Sequence, residues 1–170
     1  MTVRKIFLFL LACITLNGCS SARSTDHLKP VTGFDARKYM GTWHELARFP
    51  HSFEKDLHDV TAHYSLRKNG SISVENRGVL PDGTMKISHG VAFPTGENTG
   101  SLRVSFFRPF YGDYKIILLE KDYSAAIVTS GTMDYLWILS RTKNISPEKK
   151  KAYTAFLRQC GFPIEKLMWQ

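Results

Sequence analysis

Few groups in this chain could do covalent chemistry. The six histidines stand at 27, 44, 51, 58, 63 and 89. None shows the HxxxH spacing that sets two imidazoles on one metal ion. No Gly-x-Ser-x-Gly occurs, so the strained turn that presents a nucleophilic serine is missing. Glu45 and His89 would make an acid–base pair only if they faced one space, and the pattern around His89 does not fix its face. No catalytic residue, metal or cofactor is expected.

The cysteines say more. Cys13 sits in IFLFLLACITL, residues 6–16, after Arg4 and Lys5. An apolar run of 11 residues is too short to span a bilayer as a helix and suits a signal peptide. LNGCSS follows, and Leu16, Gly18 and Cys19 resemble the bacterial lipoprotein processing site. Residues 1–18 are therefore expected to be a signal peptide and Cys19 the acylated N-terminus. Several acyl chains on one residue anchor firmly, whereas a single chain binds reversibly. Ser20 stands where an aspartate would imply inner-membrane retention, so the resemblance implies the outer membrane, with the domain in the periplasm. Cys160 is then the sole thiol, which leaves no internal disulfide. The core alone must hold the fold in an oxidising compartment.

The elements that carry these groups follow from periodicity. The polar stretch SSARSTDHLKPVTG, residues 20–33, reads with Cys19 as a lipid-anchored tether over 19–33. About 15 flexible residues reach roughly 20 Å. Eight short alternating segments come next, near 41–49, 60–66, 71–78, 86–93, 101–107, 113–120, 125–130 and 134–141. Turn-type links such as RKNG, PDGT and TGENTG separate them. The inward register of 86–93 and 125–130 stays open. A helix then starts at Ser146 and Pro147 and stops at Gly161. Its apolar face carries Tyr153, Phe156, Leu157 and Cys160 at i, i+3, i+4 and i+7.

Such a helix must pack on a sheet, and eight antiparallel strands make either a sandwich or a barrel. The segment GTWHELARF decides between them, because Glu45 shares an alternating face with Trp43. On the next strands, Asn76 shares one with Val74. Unpaired polar groups are costly in a dry core and are accommodated in a cavity. The expected fold is all-β: an eight-stranded antiparallel up-and-down barrel with a C-terminal helix packed outside. The net charge is +8, or +6 once Arg4 and Lys5 are removed. The basic residues are scattered, and no basic helix alternates with aromatics, so nucleic acid is not an expected partner.

At these strands the chain resembles the lipocalins. Gly41 and Trp43 match the Gly-x-Trp of the first strand. Asp122 and Tyr123 match the Asp-Tyr after the sixth, with Lys121 where threonine is usual. Arg141 matches the arginine closing the last strand. The phrases FDARKYMGTWHELARFPHSFE, VSFFRPFYGDYKII and DYLWILSRT, within residues 34–170, are similar to bacterial outer-membrane lipocalins, relatives of apolipoprotein D. His44 departs from the tyrosine common at that place. These signature residues read as structural: Gly41 allows close chain approach, Trp43 plugs the closed end, and Arg141 lies across its ring.

The resemblance implies a lipid carrier that stores or transports membrane lipids under envelope stress, with a fatty acid or lysophospholipid as ligand. The alternating faces place an acyl chain along Ala47, Ala62, Tyr64, Val74, Val104, Phe106 and Ile116, with Glu45, Asn76 and Tyr114 as inward polar groups. Phe49, Phe53 and Tyr135 belong to loops at the open end, with Phe107, Phe110 and Tyr111. There they would form an apolar entrance or a homodimer contact. Arg48, Arg77 or Arg108 would meet the headgroup. The competing reading is a structural or adhesive lipoprotein acting through protein contacts at the mouth.

Overall fold

A computed structural model describes residues 23–54 and 56–170. The expected signal peptide and Cys19 lie outside the described residues.

A short helix α1 (Ala36–Tyr39) precedes strand β1 (Gly41–Arg48). A 3-10 turn (Ser52–Glu54) leads to β2 (His58–Leu66), β3 (Ile72–Val79), β4 (Met85–Pro94) and β5 (Ser101–Phe107). Then come β6 (Phe110–Leu119), β7 (Ala125–Thr129) and β8 (Leu136–Ser140). The chain ends with helix α2 (Pro147–Gln159), a 3-10 turn (Ile164–Lys166) and a two-residue strand β9 (Met168–Trp169).

Every neighbouring pair from β1 to β8 is antiparallel, and β8 returns to β1. The sheet is thus closed, as the expected barrel requires, and closure removes the free edges. Register also settles the two open strands. Ala92 pairs with inward Ile72, so Lys86, Ser88 and Ala92 face in. On β7, Ala126 and Val128 face in with Leu139.

Two apolar layers stabilise the wall. The inner one gathers Trp43, Tyr39, Ile72, Val74, Leu102, Val128 and Leu139. The outer one fills the space between the wall and α2, with Leu46, Ala47, Ile127, Ile138, Tyr153 and Leu157. Helix α2 starts as expected: the Ser146 side chain caps it, accepting from the Lys149 amide, and Pro147 takes the first position. Beyond Cys160 the chain turns at Gly161, whose φ of +83° suits a residue without Cβ. Burying Leu157 completely contributes about 1.5–3 kcal/mol to this docking.

The N-terminal segment corrects the tether expectation. From residue 23 the chain is fastened along the outside of the barrel. The Met133 amide donates to Arg23 O at 2.8 Å and the Thr25 amide to Gly131 O at 3.1 Å. Farther on, Val31 N donates to Ile116 O at 2.9 Å and Phe34 N to Asn98 O at 3.0 Å. Thr25 is fully buried, and the Lys115 ammonium donates to its carbonyl at 2.8 Å. Polar composition suggested a free tether, but backbone hydrogen bonds need no apolar side chains.

Candidate ligand cavity

The closed end is built by the signature residues. Gly41 has a φ of +93°, in the left-handed region that favours glycine. Trp43 is completely buried and donates Nε1–H to Tyr39 O at 2.8 Å. The Arg141 guanidinium lies 3.9 Å from the Trp43 ring centroid. Its Nη groups donate to Lys38 O, Met40 O and Thr42 O, tying α1 to β1. Tyr123 receives the Asp35 amide on its hydroxyl at 2.8 Å, and Asp122 accepts from the Ser124 amide in the turn. The Asp122 carboxyl is held below its usual range by those bonds with Ser124.

Above Trp43 lies Tyr39, its ring centroid 4.7 Å away. Three buried phenols join across the floor: Tyr114 Oη is 2.7 Å from Tyr39 Oη and 2.9 Å from Tyr64 Oη. Burial raises all three acidities' pKa, that of Tyr64 to about 12. They remain neutral donors and acceptors at any physiological pH.

Over this floor opens a cavity of about 910 Å³, at the upper end of the range for small-molecule sites. Ala62, Ile72, Val74, Ala92, Leu102, Val104, Val128 and Leu139 make its wall. Of the residues expected to meet a ligand, Glu45, Ala62, Tyr64, Val74, Asn76, Val104, Phe106, Tyr114 and Tyr135 all line it. Asn76 Oδ1 has no protein donor among the described residues.

Three expected residues do not line it, and a fourth has no described side chain. Ala47 and Phe49 are buried in the outer layer, where Phe49 meets Phe162 edge-on at 6.0 Å. The cause is a bulge: β1 pairs Glu45 with Leu139 but Ala47 with Ile138, so Leu46 is an extra residue. A bulge re-aims every later side chain. Ile116 is fully buried in the inner layer, with Val31 and Phe34, and does not line the cavity. Phe53 falls in the Ser52–Glu54 turn, and its side chain lies outside the described residues.

The bulge also turns Arg48 inward, which corrects its expected place at a headgroup. Arg48 is 3% exposed and donates to Glu45 Oε1 at 2.5 Å. Its Nη2 donates to Glu54 O and Leu57 O, so its guanidinium is committed to these buried partners and does not line the cavity. Glu45 also accepts from Gln170 Nε2 at 3.1 Å. Burial first, and then the nearby Glu54 charge, push the Glu45 carboxyl up to about 7 against the pull of Arg48. Glu54 accepts from Trp137 Nε1 at 3.2 Å and pairs with His51 at 3.0 Å.

Toward the mouth, the lining includes Lys86, Arg77, Arg103, Asp113, Phe107, Phe110 and Tyr111. Arg77 is bonded to Glu75 at 2.6 Å. Sequence reasoning missed Lys86, Tyr39 and Trp137. The alternation of Lys86, Ser88 and Ala92 was the available signal for the first. The other two needed the closed barrel to be seen.

A closed antiparallel barrel, plugged at one end and holding one large apolar-walled cavity, defines a protein that binds a small hydrophobic molecule. Comparison with known proteins gives the family. The model of the lipocalin-like domain matches residues 34–170. An outer membrane lipoprotein, Blc, of Citrobacter freundii is 44% identical, with 99% of this chain and 97% of that protein covered. Mouse apolipoprotein D is 36% identical over 79% of this chain and 75% of its own. The solved structure of insecticyanin from the tobacco hornworm Manduca sexta superposes with a TM-score of 0.68 at 20% identity, covering 84% of this chain and 83% of that one. The chain belongs to the lipocalin family.

Proposed function

We propose that this lipocalin carries one single-chain lipid, a fatty acid or a lysophospholipid, tail inward and headgroup at the mouth. It does so from the outer membrane, to which acylated Cys19 anchors it, and serves lipid storage or transport in membrane maintenance under stress. The observation that carries the reading is the 910 Å³ cavity with an apolar wall and a closed floor. Each buried CH₂ contributes about 0.8 kcal/mol, so a chain reaching toward the Tyr114 cluster is favoured over a short one. Asn76 Oδ1 offers an acceptor for a ligand hydroxyl midway. Glu45 makes the deep cavity hostile to an anion, while Lys86 and Arg103 stand near the opening. The location agrees with the names of the bacterial relatives.

The test is titration of delipidated protein with lysophospholipid and with fatty acids, read by tryptophan fluorescence, since Trp137 lines the cavity. Saturable one-to-one binding that Val74→Trp weakens at least tenfold is expected. Failure of both lipid classes to saturate refutes the reading. The exposed Phe107 and Phe110 favour a second reading, an adhesive lipoprotein that binds protein at its mouth. Native mass spectrometry with and without lipid separates the two.

A further inference from the structure

We propose that the mouth of the barrel faces the membrane and that its apolar rim inserts into the phospholipid leaflet holding the anchor. The inference rests on acylation of Cys19.

Two independent observations meet at this end of the molecule. The first is where the anchored chain joins the fold. Arg23, Ser24 and Thr25 are fastened to residues 130–133, in the loop between β7 and β8. Ser130, Gly131 and Thr132 of that loop line the cavity opening together with Phe110 and Tyr111. From there the segment runs away from the mouth to Phe34, which is bonded to the loop between β4 and β5 at the opposite end. Arg23 therefore meets the domain at its mouth.

Only residues 20–22 separate Cys19 from Arg23. Four residue steps reach no more than about 14 Å when fully extended. Strands of this length, tilted as in a barrel, stand roughly 20 Å tall. The closed end thus lies beyond the reach of the anchor, whereas the mouth lies within it.

The second observation is the chemistry of the rim. Phe107 and Phe110 are 77% and 72% exposed, and Met85 and Ile87 are 57% and 48% exposed. They cluster at the mouth ends of two hairpins, β3–β4 and β5–β6. Exposed Arg108 stands between the two phenylalanines in the sequence and adds a cation to this hairpin. Exposed apolar groups of this size mark an interaction surface. Docked this way, a lipid passes between leaflet and cavity without crossing water.

The test uses the acylated full chain in vesicles of phosphatidylethanolamine and phosphatidylglycerol. In a Cys160→Ala background, single cysteines replace Phe110 or Thr84 at the mouth, or Asn69 at the closed end. Each carries a fluorophore, and lipid-borne spin labels act as quenchers. Insertion by ~5–10 Å predicts about threefold stronger quenching at positions 110 and 84 than at 69. A 20-residue Gly/Ser spacer after Ala22 should leave this bias in place, because the rim itself holds the surface. Read at position 84 against 69, Phe107→Asp with Phe110→Asp should abolish it in the spacer form. Equal quenching at both ends, or stronger quenching at 69, overturns the orientation. So does protection of the mouth by a second copy, seen as a dimer in sedimentation with position 110 shielded but unquenched. The mass of the mature N-terminus is read on the same preparation. An unacylated Cys19 overturns the anchor reading and this proposal together, whereas lipid titration of the cavity stands apart from both.

Discussion

Replacing Trp43 tests the floor on which the cavity depends. Its indole is fully buried, lies tilted against the Tyr39 ring at 4.7 Å, donates to Tyr39 O at 2.8 Å and carries Arg141 at 3.9 Å. Trp43→Ala leaves a void no neighbour can fill, so the expected loss is ~3–5 kcal/mol. In a chain of this size each kcal/mol moves Tm by ~2–4 °C, so a drop of roughly 6–20 °C is expected. Trp43→Phe keeps a ring against Tyr39 and loses the indole donor, at about 1–2 kcal/mol. A double-mutant cycle with Arg141→Ala should return a coupling of ~1–2 kcal/mol for the cation–π contact. Thermal and urea unfolding provide these numbers. Lipid affinity of the surviving Trp43→Phe variant should be unchanged, because Tyr39 rather than Trp43 meets the cavity. A Tm within about 3 °C of the parent for Trp43→Ala, where even the smallest expected loss moves it further, would refute the plug. Weakened lipid binding by a stable Trp43→Phe protein would refute the separation of plug from cavity.

Glu45 gives a second prediction. Its folded pKa of about 7 lies above its ordinary 4.5, so between those values the folded state holds a proton that the unfolded chain has lost. Stability should fall as pH rises through that window, by roughly 3 kcal/mol in total, and Glu45→Gln should flatten the slope in urea unfolding. A parent protein with no slope between pH 4.5 and 7 counts against this account. Tyr114→Phe removes the oxygen shared by Tyr39 and Tyr64 and should cost ~1–3 kcal/mol for the stranded hydroxyls. The triple phenylalanine variant should recover part of that loss, and an alkaline absorbance titration should show the three phenols ionising only on unfolding.

What the sequence revealed and what it concealed divide along the range of the interactions involved. Helix α2 was legible to the residue because its signals are local: Ser146 caps, Pro147 starts and Gly161 turns. The barrel was legible because alternation repeats in eight strands, and the mixed face of β1 pointed to a cavity. The packed stretch 23–33 was not, since it binds through main-chain groups that composition does not report. The register of β1 beyond Glu45 was hidden for a related reason. Its bulge is set by two partners far along the chain, β8 and β9, which both pair with Ala47 and Arg48.

That bulge answers the problem posed by Glu45. Strict alternation would have turned Ala47 inward and Arg48 to the outside. The carboxylate would then have stood in an apolar cavity with no cation on its own strand, a costly arrangement. One extra residue, Leu46, sends Ala47 into the layer under α2 and brings Arg48 back over Glu45. The pair is then fixed from outside the strand: Glu54 O and Leu57 O hold Arg48, and Gln170 holds Glu45. The same distortion therefore packs the helix, pairs the buried acid and commits Arg48 to that pair. Attraction for an anionic group is left to the cations near the rim. A ligand entering head first would meet Glu45 and no unpaired cation from β1, which is the physical ground on which a tail-inward pose is proposed.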